Sequence, residues 1–212
     1  RSLGSFKKDL FNAEKEAIKL IKIISKKTEI KNILDIGCNC GVFTGFLAIF
    51  FPQAKVIGVD PSKEAIKFAR VRYRNFSNLK FIVGHSSSLP FKNQFDIVIV
   101  RMVLQWLPRK FFFETIAEID RVAHNFVYIN EFSPLAASTS ISVHNPKVKI
   151  FKQDYYKIFT SVPYWTIFYK KIFDAQLGEG HRRGIFILKK LSIVNAYKKR
   201  PSIQEKDKNN YD

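Results

Sequence analysis

The chain has two cysteines, one methionine and no apolar run long enough to cross a bilayer. A membrane helix needs about 18 or more consecutive apolar residues, so no such span is predicted. No signal-peptide pattern opens the chain, and Arg1 in place of Met reads as a trimmed or partial N-terminus. The cysteines, Cys38 and Cys40, stand two apart with no second pair at metal-ligand spacing. A structural zinc site takes about four ligands, so no metal is expected. A disulfide between residues this close would be strained, which leaves reduced thiols in a cytoplasmic protein. Acidic residues are scarce: 18 against 36 basic ones, for a net charge of +18. Such a field favours an anionic partner, whether nucleic acid, an acidic carrier protein or an acidic small molecule. The same excess follows from a composition rich in Lys, Ile, Asn and Phe with scattered lysines, so basicity alone names no partner.

What is present is an alternation of apolar strands and amphipathic helices. At 212 residues and 46% apolar, the chain supports one domain with a sizeable core. Ala17, Leu20, Ile21 and Ile24 share a face of an N-terminal helix, over about 5–28. Strands are predicted near 31–36, 55–59, 79–83, 95–100 and 125–131, with helices near 42–51, 62–74 and 110–122 between them. That order predicts an α/β fold with a doubly wound parallel sheet and helices on both faces. Beyond Glu131 the pattern changes: 132–145 is loop-like, 151–161 reads as a short helix, and 164–173 and 184–191 read as an antiparallel pair. The domain thus extends over 1–193, and 194–212 reads as a polar, flexible tail.

Ligands of such sheets bind beyond the carboxyl ends of the strands. There the sequence Ile33-Leu34-Asp35-Ile36-Gly37-Cys38-Asn39-Cys40-Gly41 turns from strand to helix. A second apolar run, Val56-Ile57-Gly58-Val59, ends in Asp60 and is followed by Pro61. Glycines let backbone approach a ligand, a helix start offers unpaired N–H groups, and Asp60 can take two ribose hydroxyls. A dinucleotide loop would read Gly-x-Gly-x-x-Gly; only two glycines stand here, with an acid just before the first. These residues suit a nucleoside without a pyrophosphate.

This stretch resembles motif I of the class I S-adenosylmethionine (SAM) methyltransferases. Gly84-His85-Ser86-Ser87-Ser88-Leu89-Pro90-Phe91 is similar to the segment that frames adenine in that family. Phe95-Asp96-Ile97-Val98-Ile99-Val100 is similar to its fourth strand, followed by Met102-Val103-Leu104-Gln105-Trp106-Leu107. The resemblance covers roughly residues 30–131. It implies SAM as cofactor and a Rossmann-like sheet of seven strands whose last two form an antiparallel hairpin. It also implies a cofactor site at Asp35, Gly37, Cys38, Asn39, Gly41, Asp60, Pro61, His85 and Ser86, with Arg101 at the same edge. One departure is His85, which stands where the family has the acid that bonds the adenine amino group. More narrowly, the Cys-Asn form of motif I, Glu118-Ile119-Asp120-Arg121-Val122, Asn130-Glu131-Phe132-Ser133-Pro134 and Phe151-Lys152-Gln153-Asp154 resemble methylases associated with pseudaminic acid biosynthesis. That implies surface-sugar or sugar-nucleotide metabolism. Leu104-Gln105-Trp106 is also similar to the tripeptide of malonyl-carrier-protein and trans-aconitate O-methyltransferases.

Methyl transfer from SAM needs alignment more than acid–base help, since the cofactor carries the activation. A hydroxyl acceptor would add a general base, for which Glu131, His144, Asp154, Tyr155, Tyr156 and His181 are candidates. The expected substrate is a small anionic molecule. A nucleic-acid substrate is disfavoured: Arg101-Met102-Val103-Leu104 stands where base amino-methylases carry Asn/Asp-Pro-Pro-aromatic, and both cysteines lie in the cofactor loop. An O-methyltransferase of a carrier-protein-bound or free carboxylic acid, an RNA methyltransferase acting on ribose and a non-catalytic SAM-binding module are the alternatives.

Overall fold

The computed structural model describes residues 3–134, 137–142, 147, 149–161, 164–174 and 182–191. Five parallel strands form first: β1 (Asn32–Ile36), β2 (Lys55–Asp60), β3 (Leu79–Val83), β4 (Phe95–Arg101) and β5 (Ala123–Phe132). Val, Ile and Phe dominate them because parallel strands are covered on both faces. The C-terminal strands β8 (Trp165–Asp174) and β9 (Arg182–Lys190) pair antiparallel, and β9 pairs antiparallel with β5. The sheet order is β3-β2-β1-β4-β5-β9-β8. The expected seven-stranded doubly wound sheet with its terminal hairpin is thus the observed one.

One face carries α1 (Leu3–Ser25), α2 (Val42–Phe50) and α3 (Lys63–Arg72). Ala17, Ile21 and Ile24 of α1 and Leu47 of α2 are buried there with Ile33, Ile97 and Tyr128. The other face carries α4 (Arg109–Val122) and α5 (Tyr155–Thr160), where Phe112, Ile119 and Phe159 pack on Val98, Val127 and Phe186. Local chemistry sets the helix starts. Ser62 caps α3 by accepting from the Ala65 amide at 3.2 Å, and Asp154 caps α5 through the Lys157 amide at 3.0 Å. Asp96 starts β1 by accepting from the amides of Lys31 and Asn32, at 2.8 and 2.9 Å.

Two expectations require correction. Ser138–Ile141 and Lys149–Lys152, read as loop and helix, form a separate two-stranded antiparallel sheet, β6 and β7. Phe151 pairs with Thr139 as a strand residue, and α5 begins only at Tyr155. The strands are four residues each, β6 mostly exposed and β7 burying only Ile150, so no alternation of apolar residues marked them. The N-terminal helix ends at Ser25 rather than about 28. The 194–212 tail lies outside the described residues.

The pentapeptide from Glu118 to Val122 has an architectural explanation. Glu118 accepts from the Leu89 amide at 2.6 Å and pairs with Arg121, whose guanidinium donates to the carbonyls of Leu89 and Phe91. Ile119 and Val122 fill the core. Asp120 accepts from the Tyr164 hydroxyl at 2.9 Å and the Trp165 indole at 3.0 Å, with Lys190 at 3.3 Å. This carboxylate fastens the terminal hairpin to α4. Removing it leaves the Tyr164 hydroxyl and the Trp165 indole without their acceptor, while Lys190 keeps the carbonyls of Asp120 and Ala123, so Asp120→Ala should cost about 2 kcal/mol, measured as a lowered urea midpoint with an unchanged m-value.

Candidate functional site

The carboxyl ends of β1, β2 and β4 open into a crevice of about 420 Å³. Its floor is the β1–α2 loop, where Gly37, Asn39 and Gly41 all have positive φ, at 72°, 49° and 78°. Gly37 and Cys38 donate their amides to the Val59 carbonyl at 2.8 and 3.1 Å, so the loop folds back on β2. Asp60 completes the fold of the floor. One carboxylate oxygen accepts from the Asn39 amide at 2.8 Å and the other from the Ser62 amide at 2.9 Å. Each oxygen keeps further acceptor capacity, and the residue lines the crevice. Pro61, Gly84, His85 and Ser86 form one side; Met102, Val103, Trp106, Leu107 and Phe111 form the other. The Ser86 hydroxyl lies 3.0 Å from that of Thr115, and His85 is exposed at the rim.

Not every expected residue reaches the crevice. The Asp35 carboxyl is buried beneath it and accepts from the Thr44 hydroxyl at 2.7 Å. Burial pushes its pKa up to about 6, against the lowering effects of that hydrogen bond and of Arg101. Cys38 is buried against Ile66, Ala69 and Phe81, and burial pushes its thiol pKa up; both cysteine thiols are free. The glycines answer to internal packing. A Cβ on Gly41 would stand 2.5 Å from the Phe81 ring, and one on Gly37 would stand 2.3 Å from Val103 Cγ2. Their left-handed backbone adds to that demand. Arg101 ends β4 with its guanidinium 3.9 Å from the Phe43 ring centroid and 3.9 Å from Glu14 of α1.

The base candidates are dispersed. Glu131 is fully buried at the end of β5 and accepts from the amides of Val103 and Leu104, at 2.6 and 2.9 Å. It shapes the crevice wall from behind. Tyr155 is buried and donates to the Phe151 carbonyl at 2.6 Å, and burial pushes its hydroxyl pKa up. Asp154 is occupied as a helix cap, and the Tyr156 ring lies 3.8 Å from the Lys170 ammonium. His144 and His181 lie outside the described residues. Two wall features escaped the sequence reading: Met102, which has a positive φ of 56°, and the Leu104–Trp106 3-10 turn. Neither position is glycine, so no residue type marked the bend.

The strand order, the acid ending β2 and the crevice at the switch between β1 and β4 define the fold of the class I SAM-dependent methyltransferases. Residues 33–125 match the methyltransferase domain family. Among similar curated proteins, malonyl-[acyl-carrier protein] O-methyltransferase of Halalkalibacterium halodurans is 31% identical over 114 residues, or 50% of this chain and 41% of that one. Trans-aconitate 2-methyltransferase of Afipia carboxidovorans is 35% identical over 82 residues, 39% of this chain and 31% of that one. The chain thus spans less than half the length of either. A crystal structure of Burkholderia thailandensis 1,6-didemethyltoxoflavin-N1-methyltransferase, with S-adenosylhomocysteine bound, superimposes with a TM-score of 0.68. It is 13% identical, covering 89% of this chain and 84% of that one. No helix among the described residues is long and apolar enough to cross a membrane.

Glu131 makes a titration signature. Burial raises its pKa to about 7, opposed by the two amide hydrogen bonds. Its contribution to stability is therefore full below the unfolded value of about 4.5 and is lost as pH rises through about 7. Glu131→Gln keeps an acceptor for both amides and cannot ionise. It should remove up to about 3 kcal/mol of this pH dependence between pH 4.5 and 7, read by urea denaturation across that range.

Proposed function

We propose that this chain binds SAM in the crevice and transfers its methyl group to a small acceptor carrying an anionic group. The observation that carries the reading is Asp60, whose two oxygens each hold one loop amide and face the crevice with capacity left for a pair of ribose hydroxyls. The volume of about 420 Å³ falls in the range of about 300–1,000 Å³ typical of small-ligand sites. His85 and Ser86 at the rim suit the adenine end, held through backbone in place of the family's acid.

SAM would supply a methyl group already activated on sulfur, with a neutral thioether as leaving group. The chain's own task is then placement. Asp60 orients the ribose, and the bent loop at Gly37 brings backbone close to the ligand. Trp106, Leu107 and Phe111 shield the crevice from water on its open side. Several lysines and arginines beyond the strand ends favour an acidic acceptor: Lys147, Lys149, Lys152, Arg182 and Arg183 all fall on β6–β7 or β9 or between them. Two relatives are named for carboxylic acid acceptors, malonyl-carrier-protein and trans-aconitate. An acidic sugar, as the resemblance to pseudaminic acid-associated methylases implies, presents the same carboxylate. A long nucleic acid is disfavoured on the sequence grounds given above.

Calorimetric titration with SAM, followed by a methyl-transfer screen over carboxylic acids, carrier-protein thioesters, acidic sugar nucleotides and RNA, tests the reading. Hydrogen bonds to a carboxylate are worth about 1.5–3 kcal/mol, so Asp60→Ala should weaken SAM about tenfold or more. Unchanged affinity in a folded Asp60→Ala protein, or transfer to RNA alone, would overturn the assignment.

A further inference from the structure

On the α1 face of the sheet, just behind the crevice, lies a cluster of polar groups, several of whose buried atoms have no hydrogen-bond partner among the described residues. Arg101 ends β4 and is in register with Asn130 of β5; Asn130 is two residues from Tyr128, so both point to that face. Asn130 is in register with Ile185 of β9, which puts Arg183, two residues earlier, on the same face. Tyr128 and Asn130 are completely buried. Among the described residues, the Tyr128 hydroxyl, both side-chain polar atoms of Asn130, and Nε of Arg101 and of Arg183 are buried and make no hydrogen bond of normal geometry, the Tyr128 hydroxyl and the Asn130 side chain lying close enough to influence each other.

Buried polar atoms are rarely left so, and five converging at one strand edge mark a place for a ligand. Two guanidiniums face it, Arg101 near Asp35 and Glu14 and Arg183 near Glu131. Burial, then Arg101, lowers the pKa of Arg183, while burial raises those of Asp35 and Glu14. Of those two acids, Asp35 is held by Thr44, and Glu14 approaches Arg101 only to 3.9 Å. Both arginines are partly exposed, so the cluster opens toward the carboxyl edge.

We propose that this cluster binds the carboxylate of the methyl acceptor, the Arg101 and Arg183 guanidiniums donating to its oxygens together with the Asn130 amide and the Tyr128 hydroxyl. The proposal rests on the methyltransferase reading and names the group its acceptor presents. Its place in the sheet separates it from the cofactor's ribose. From β2, where Asp60 stands, β4 is two strands away and β9 four, or about 10 and 19 Å at about 4.8 Å per strand. The methionine arm of SAM is only a few bonds long and does not extend to β9. A planar two-oxygen anion suits paired guanidiniums better than a point charge would.

The test is calorimetric titration of trans-aconitate and of malonate into the wild-type protein, Asn130→Leu and Arg183→Gln. Each titration is run with and without S-adenosylhomocysteine, whose own affinity is measured in parallel. We expect the wild type to bind at least one carboxylate and both variants to lose about tenfold or more of that affinity, with S-adenosylhomocysteine binding unchanged. If Arg183→Gln fails to fold, Asn130→Leu decides. No carboxylate binding by the wild type, unchanged binding in folded variants, or an equal loss of S-adenosylhomocysteine affinity overturns the proposal. A wild type that binds a carboxylate but no S-adenosylhomocysteine defeats the methyltransferase reading and leaves the carboxylate site standing.

Discussion

Glu131 sits where β5 ends, and its carboxylate holds the backbone amides of Val103 and Leu104 in a turn that β4 would not otherwise make. The crevice depends on that clamp. With the turn held, Met102 adopts a positive φ, and Val103 packs into the space that a side chain at position 37 would need. The wall and the floor of the crevice are therefore one packed unit, joined through the absent Cβ of Gly37. An ionised carboxylate is costly to bury, so the Glu131 pKa is pushed up to about 7, and one carboxyl oxygen accepts both amides.

A second carboxylate organises the floor. Asp60 ties the β1–α2 loop to the start of α3, so the first two crossover connections are positioned by a side chain at the sheet edge. Around these two acids the structure spends its other polar groups on scaffolding: Asp96 at the start of β1, Glu118 and Arg121 on the Leu89–Phe91 segment, and Asp120 on the terminal hairpin. Near the carboxyl edge, Tyr128, Asn130 and the Nε atoms of Arg101 and Arg183 have no hydrogen bond of normal geometry among the described residues and stand out against that economy.

Much of the fold was legible because parallel strands buried on both faces must be continuously apolar, and helices between them must be amphipathic. Ile97-Val98-Ile99-Val100 and the stripe Ala17, Ile21 and Ile24 leave little else to form. The β6–β7 sheet was not legible, since Ser138-Thr139-Ser140-Ile141 owes its strand state to pairing with Lys149–Lys152 and not to a buried face. Within the site, Asp60 was legible from its place after an apolar strand. The roles of Asp35 and Cys38 were not, because whether a loop side chain faces ligand or core depends on φ values that spacing does not show.

By itself the sequence determined the order of strands and helices and the edge where a ligand must bind, while the seven-stranded arrangement was what the family resemblance implied. Periodicity and chain order suffice for that, because right-handed crossovers leave few other arrangements. Only the tertiary structure decided which polar residues became scaffold and which were left free. That division arises across strands: Arg101, Asn130 and Arg183 are far apart along the chain and meet only through the β4–β5–β9 register.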